Sequence, residues 1–418
     1  MQEIGPGIHR SAGWIDTGRE NEFKCTNKGR EAVTNPVIEP TPPQAVIPHD
    51  ATTKQLTTIW RELLGVESIG PEDNYFDLGG DSALAVHLFA RIEKLFKVKL
   101  PLATLFEAPS IAELARLIVS QSSPDTAAPV PGENSGWSSL VVIQPAGSRP
   151  AFFCMHGAGG NVLIYRELSE HLGSDLPFYG LQAQGLDGGC APLARIEDMA
   201  AAYVKEIQRA QPSGPYFIGG YCMGGTVAYE VAQQLQAKGQ EIAFLGLFDT
   251  MNWKKVLVPS SMGKAYHGLQ RLAFHAANFL NLDFQGQSEF FREKLRALKS
   301  RIPVWKGLLL VKFGGSTSAA KSESLVLAQI WRMNDAACTE YVAKPYGGVV
   351  TDFRPLKQYR MFDKPDAKWE QLAQGGQRIV QLQVYPAGML VEPFVKHLAE
   401  ALKSQLDESM RQSNPLNK

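Results

Sequence analysis

The sequence predicts two architectures in tandem: a bundle of four helices, then a mostly parallel sheet with helices on both faces. Three observations carry that expectation. Apolar residues recur at helical spacing across residues 51–121. From residue 140 to about 406, short apolar runs alternate with helical stretches, the rhythm that builds a parallel sheet covered on both sides. One of those runs ends in Gly220-Tyr221-Cys222-Met223-Gly224-Gly225, where a strand must turn at once into a helix.

At 418 residues the chain has room for two or three domains. Its 42 Lys and Arg balance 42 Asp and Glu, so no global field attracts nucleic acid or an anionic membrane, and neither is expected as a partner. The cysteines, Cys25, Cys154, Cys190, Cys222 and Cys338, are odd in number and lack C-x-x-C spacing. They suggest neither a disulfide framework nor a metal site, and a reduced, cytoplasmic setting is expected. No apolar run approaches the roughly 18 residues of a membrane helix. The N-terminus has Glu3 and no apolar core of the kind a signal peptide carries.

Residues 1–48 are polar, with Pro36, Pro40, Pro42, Pro43 and Pro48 crowded at their end, and read as a flexible tail and linker. A docking segment for a partner protein is the alternative. The bundle is expected over residues 49–122. Leu56, Ile59, Trp60, Leu63 and Leu64 fall on one helical face, and Leu84, Val86, Leu88, Phe89, Ile92, Leu95 and Phe96 on a second. Ile111, Leu114, Ile118 and Val119 make a third face. Ser110, with Glu113 three positions on, reads as a capping box, and a short turn near 102–106 completes the bundle.

Between the first two helices runs Asn74-Tyr75-Phe76-Asp77-Leu78-Gly79-Gly80-Asp81-Ser82. The glycines let the backbone turn sharply, and Ser82 opens the second helix with its hydroxyl exposed. A serine there is most simply a helix cap. The whole run, however, resembles the peptidyl and acyl carrier domains of nonribosomal peptide and polyketide assembly lines. Their signature is an aromatic-Asp-Leu-Gly-Gly-Asp/His-Ser run inside a helical bundle of this length. The resemblance implies that Ser82 carries a 4′-phosphopantetheine arm attached by a separate phosphopantetheinyl transferase. Such an arm holds an acyl chain as a thioester and raises its effective concentration at a tethered neighbour. Glu72, Asp73, Asp77 and Asp81 surround the attachment point, either as a surface for a basic partner or as a solvated loop.

Residues 123–138, rich in Pro, Ser, Gly and Ala, read as an interdomain linker. The second domain is expected over 139–408, with a tail at 409–418. Its strands are placed at 141–143, 151–155, 178–181, 216–219, 243–248, 349–353 and 379–384, with helices such as 196–211 and 226–238 between them. Residues 253–341 break the rhythm with long helical segments and read as an inserted helical lid. Within it, Val304, Trp305, Leu308, Leu309 and Leu310 are candidates either for an acyl-binding stripe or for lid packing.

Gly220 and Gly224 flank Cys222 in a nucleophile elbow with sulfur in place of oxygen, since any Cβ there would bring backbone into collision. With the elbow on a central strand, the expected fold is that of an α/β-hydrolase. Cys222 opens a helix, whose dipole and unpaired N–H groups favour a thiolate. Met155-His156-Gly157-Ala158-Gly159-Gly160-Asn161 follows the strand ending at Cys154. Its small residues let backbone N–H groups face a developing oxyanion, and the hole is assigned to the amides of Ala158 and Met223. Asp249 ends the strand 244–248, at the edge where catalytic side chains collect; a turn residue is the alternative.

These pieces resemble the type I terminal thioesterase domains of assembly lines. The likeness runs through His156-Gly157-Ala158-Gly159-Gly160, Tyr179-Gly180-Leu181-Gln182, Gly219-Gly220-Tyr221-Cys222-Met223-Gly224-Gly225, the Asp249 segment and Met389-Leu390-Val391-Glu392-Pro393, across nearly all of 139–406. It implies that Cys222 takes an acyl or peptidyl group from the arm on Ser82 and that Asp249 orients the base. It also implies that upstream synthetase or synthase modules load the carrier. Family members usually place the catalytic His three residues before the Met-Leu of the last motif; here position 386 is Pro. A serine without its base would be nearly inert, whereas a thiol needs less help. Candidate bases are His156 on the oxyanion loop and His267 or His275 in the lid, with His156 reading also as structural and His397 as a surface residue. The function expected is release of a carrier-bound chain by hydrolysis or cyclisation. The alternatives are transfer of the chain to an amine, alcohol or other carrier, and a degenerate thioesterase that only binds the carrier.

Overall fold

The computed structural model describes residues 49–122, 138–186, 190–251, 287–288, 291, 318–355, 369–384 and 388–413. The tail at 1–48, most of the linker, most of the lid with its 304–310 stripe, and the positions His267, His275 and Pro386 lie outside the described residues.

Four helices build the N-terminal bundle: α1 (His49–Leu64), α2 (Ser82–Phe96), α3 (Thr104–Glu107) and α4 (Ile111–Ser122). They close on one core, where Leu56, Ile59 and Trp60 meet Leu84, Leu88 and Ile92 together with Ile111, Leu114 and Ile118. These are the faces that helical spacing picks out. Leu95 departs from the expectation and is 47% exposed. The buried stripe of α2 steps by fours through Leu84, Leu88, Ile92 and Phe96, and position 95 falls beside it. The capping box of α4 is reciprocal: Ser110 N–H donates to Glu113 Oε2 (3.1 Å) and Glu113 N–H donates to Ser110 Oγ (3.3 Å).

The second domain is a seven-stranded sheet of β1 (Leu140–Gln144), β2 (Phe152–Met155), β3 (Phe178–Leu181), β4 (Tyr216–Tyr221), β5 (Ile242–Phe248), β6 (Val350–Pro355) and β7 (Gln377–Leu382). Their order is β1-β3-β2-β4-β5-β6-β7. Only the β1–β3 pair is antiparallel. Around the sheet lie a 3₁₀ turn (Leu163–Tyr165), α5 (Arg166–Leu172), α6 (Ile196–Ala210), α7 (Met223–Ala237), α8 (Ser318–Glu340), α9 (Trp369–Leu372) and α10 (Val395–Ser413). Alternate residues of one strand serve opposite faces. Phe153 and Met155 join the core under α6 and α7, while Phe152 and Cys154 join the core under α5 and α10. All seven expected strands are present, β7 two residues earlier than its apolar run implied. Helix α10 continues past 408 to Ser413.

Strand β4 is the middle of the sheet, and its carboxyl end runs into α7 through Cys222, so the elbow opens at the edge where parallel sheets gather their sites. Among the described residues, no helix is long and apolar enough to cross a membrane and no cluster could hold a metal ion. Cys154, Cys222 and Cys338 are free thiols. Cys190 departs from the expectation of unpaired cysteines, being disulfide-bonded.

Candidate active site

Cys222 stands at the cap of α7 with φ 55° and ψ −117°, a left-handed backbone that a residue with a Cβ rarely adopts. Two close approaches force it there. A Cβ on Gly220 would lie 2.2 Å from the Gly224 carbonyl carbon, and one on Gly224 would lie 2.2 Å from Met155 O. Helix α7 can therefore cross β4 and the end of β2 only with bare backbone. Further bonds hold the turn: Cys222 N–H donates to Phe248 O (2.8 Å), and the Tyr165 hydroxyl accepts from Tyr221 N–H (3.0 Å) while donating to Met155 O.

Parallel pairing of Tyr221 with Phe248 makes Cys222 and Asp249 the next residues in register, each with positive φ. The acid and the thiol that sequence reasoning chose are thereby neighbours. Their electrostatics correct one expectation. Burial, followed by the charge of Asp249, pushes the Cys222 thiol up to about 11, with Asp335 of α8 adding to the rise. The Met223 N–H at the start of α7 opposes this and is outweighed. The helix N-terminus does not by itself make a thiolate here. Asp249 is raised to about 6, first by burial and then by the charge of Asp352.

Asp352 is a member of the site that sequence reasoning missed. It is 1% exposed on β6, where Arg354 Nε (2.7 Å) and Gln377 Nε2 (2.9 Å) donate to its Oδ2. The signal available was an Asp inside an apolar strand at 349–353. Asn334 on α8 was also missed, for want of any local motif. Its Nδ2 donates to Ala158 O (2.8 Å) and so ties the loop after β2 to α8. One helical turn earlier on α8, Trp331 is 52% exposed, with its Nε1 3.3 Å from where a Gly159 Cβ would sit.

His156 is fully buried with both ring nitrogens engaged: Nδ1–H donates to Gly157 O (2.7 Å) and Nε2 accepts from the Tyr203 hydroxyl (2.7 Å). Burial pulls its pKa down to about 4. That geometry suits a structural pin for the loop after β2. His397 is half-buried on α10. Met389 of the last motif is buried in the α5–α10 core, and Glu392 Oε1 lies 2.6 Å from His171 Nε2.

On the bundle, Ser82 is the first residue of α2. The capping task belongs to its neighbour: Asp81 Oδ1 accepts from Leu84 N–H (2.8 Å), and Asp81 O accepts from Ala85 N–H (2.9 Å). The loop before it is tightly built, since a Cβ on Gly80 would lie 2.3 Å from the Tyr75 ring, whose hydroxyl donates to Asp81 O (3.1 Å). A pre-capped helix start on a braced loop fits a covalently attached group at the next position.

The sheet order, the elbow on its central strand and the loop after β2 define an α/β-hydrolase, joined here to a helical carrier bundle. A family profile described as "Thioesterase domain" matches residues 150–377, more than half of the chain, and one described as "Phosphopantetheine attachment site" matches residues 54–118. The chain belongs to the thioesterase-domain family, and its carrier domain implies a covalently attached 4′-phosphopantetheine. Among curated proteins, malpinin synthetase of Mortierella alpina is 39% identical over 51% of this chain and 3% of its own length. A dimodular nonribosomal peptide synthase of Bacillus subtilis is 38% identical over 46% of this chain and 8% of its own length. The chain thus spans a small fraction of these relatives. Among solved structures, a four-domain nonribosomal peptide synthetase, holo-AB3403 bound to AMP and glycine, aligns with TM-score 0.50 at 23% identity over 92% of this chain and 28% of that one, a likeness of fold. The NocB thioesterase domain, in covalent complex with a fluorophosphonate nocardicin G analogue, aligns with TM-score 0.45 at 20% identity over 64% of this chain and 99% of that one.

Proposed function

We propose that this chain is the carrier and release portion of a nonribosomal peptide assembly line, in which Ser82 is the attachment point and Cys222 the nucleophile. The observation that carries the reading is the backbone of Cys222, held at φ 55° by two glycine contacts and the Phe248 carbonyl. Strain of this kind amounts to about 1–3 kcal/mol per residue and persists where a side chain must be aimed. The attached arm, when present, supplies a flexible thiol that presents an acyl or peptidyl chain as a thioester.

Cys222 then attacks the thioester carbonyl. Its thiol proton goes to a base oriented by Asp249, the new C–S bond forms at Cys222, and the proton passes to the departing thiol. The amides of Ala158 and Met223 receive the charge that develops on the carbonyl oxygen. Because the Cys222 thiol is neutral at physiological pH, this proton transfer is part of the barrier. Water or an internal nucleophile of the chain completes release by hydrolysis or cyclisation. Loading of Ser82 falls to a phosphopantetheinyl transferase and to upstream modules.

Intact-protein mass measurement after supplying an acyl thioester tests this. The chain is expected to gain an acyl group on Cys222 that is lost as free acid or as a cyclic product, and Cys222→Ala is expected to gain none there. Deacylation at the parent rate in Cys222→Ala overturns covalent catalysis. A persistent acyl-Cys222 that reacts only with added amine moves the reading to acyl transfer.

A further inference from the structure

Leu163 opens the 3₁₀ turn that follows the oxyanion loop, yet it is 6% exposed and belongs to the core cluster of the carrier bundle. In the other direction, Ala103 and Phe106 of the carrier pack against the sheet core under α5. The polar centre of this contact is Arg166, the first residue of α5. Its guanidinium carbon stands 4.5 Å over the centre of the Phe76 ring. Its Nη2 reaches Glu170 Oε1 (2.7 Å) and Asp77 Oδ1 (3.5 Å), and its Nη1 reaches Glu167 Oε1 (3.3 Å). Phe76 in turn stacks on Phe106, with ring centroids 6.4 Å apart.

These partners are not evenly matched. Asp77 is 71% exposed, so its ion pair is screened and contributes little, whereas Arg166 is only 17% exposed and its ring contact is largely shielded from water. Two acids on its own helix hold the guanidinium in plane, an orientation that a lysine ammonium cannot reproduce. Phe76 and Asp77 belong to the loop that runs into Ser82, and Arg166 follows the oxyanion loop by one short turn. Helix α2 also packs against α8, whose Asn334 grips Ala158 O.

We infer that Arg166 is the positioning residue by which the thioesterase domain seats its own carrier, reading the Phe76-Asp77 pair so that the loop before Ser82 is presented beside the oxyanion loop. The functional half of this inference rests on the proposed roles of Ser82 and Cys222; the docking half does not. Hydrogen exchange on the full-length, unloaded chain tests the docking half directly. Arg166→Glu places a carboxylate against Asp77 and over the negative face of the Phe76 ring. It is expected to raise exchange about fivefold in peptides covering 74–81 and 163–170, with peptides covering 216–221 unchanged. In the first turn of α5 the new acid gains from the helix dipole but faces a like charge at Glu170, so the deciding readout is 74–81, which lies outside α5. Phe76→Leu, which keeps apolar bulk and removes the π face, is expected to act in the same direction. If both variants exchange like the parent in 74–81, the contact is not held in solution and the inference falls.

The second readout is a ratio: the rate of Cys222 acylation from the carrier divided by the rate from a small free thioester. It is expected to fall about tenfold in Arg166→Glu and in the same direction in Phe76→Leu, which removes the ring face and leaves the ion pairs of Arg166 in place. An unchanged ratio overturns the positioning role. Absence of acyl-Cys222 in the parent chain sinks the proposed function instead and leaves the exchange experiment to decide docking.

Discussion

Replacing Asp249 by Asn probes the charge arrangement of the site through stability alone. Asp249 is held at about 6, against 3.8 for an unhindered carboxyl, by burial and by the nearby charge of Asp352. Because the folded pKa is the raised one, ionisation works against the fold. The penalty is absent below the unfolded value, grows between about pH 4 and pH 6, and is complete above that. Over that gap of about two units, at about 1.4 kcal/mol each, it amounts to roughly 3 kcal/mol at neutral pH. The Asn amide brings its own loss, about 1–3 kcal/mol for a buried donor without a partner, but that term does not depend on pH. Comparing the variant's effect at two pH values cancels it. Asp249→Asn is expected to be more favourable near pH 7.5 than near pH 4 by about 2 kcal/mol. Denaturant titrations at both pH values, followed by tryptophan emission, measure this difference. Trp369 is a local reporter, since its indole N–H donates to Thr250 O (3.2 Å), next to Asp249. A variant whose effect is the same at both pH values, or larger near pH 4, refutes the reasoning, because Asp249 would then ionise as an ordinary carboxyl.

Alkylation of Cys222 by iodoacetamide, read peptide by peptide, is expected to climb with pH towards about 11, where a thiol governed by the helix dipole would level off near neutrality. At about pH 7.5 roughly one thiol in three thousand is ionised. Gly224→Ala drives a Cβ to 2.2 Å from Met155 O and 2.7 Å from His156 O, backbone on both sides, and is expected to destabilise the thioesterase domain by about 3 kcal/mol or more in a denaturant titration. Tyr203→Phe removes the donor to His156 Nε2 and should lower stability by about 1–2 kcal/mol. It should also leave the pH dependence of Cys222 acylation in place; a displaced acidic limb would put His156 in the proton path. Asn334→Ala frees Ala158 O from α8 and is expected to slow acylation from a small thioester about tenfold, with about 1–3 kcal/mol lost in stability because a buried amide goes and the carbonyl loses its donor.

The fold was legible because its constraints are local. Helical faces such as Leu56, Ile59 and Trp60 follow from periodicity, and the strand-to-helix turn at Cys222 announces itself because nothing larger than Gly fits at 220 or 224. Arg166 and Asn334 were not legible, and Asp352 stood out only as an acid inside an apolar strand. Each acts on a partner from a different element, and a single Arg, Asn or Asp in a helix or strand carries no spacing that would mark it.

The thiol of Cys222 shows where the boundary lies. Both of its electrostatic neighbours stand in the sequence, the helix start at Met223 and the acid at Asp249, but separately. A helix N-terminus is worth about half a positive charge, whereas a carboxylate brings a full negative one. Burial also disfavours the thiolate whichever neighbour is nearer. The sum is therefore unfavourable as soon as the two act on one sulfur. What brings them together is the parallel register that sets Tyr221 opposite Phe248, a pairing between strands rather than a property of either. The same pairing gives the proposed reaction at Cys222 its requirement for a base. Had the acid stood one strand further away, at Asp352, the dipole would have faced less opposition and the thiol less need of help in losing its proton.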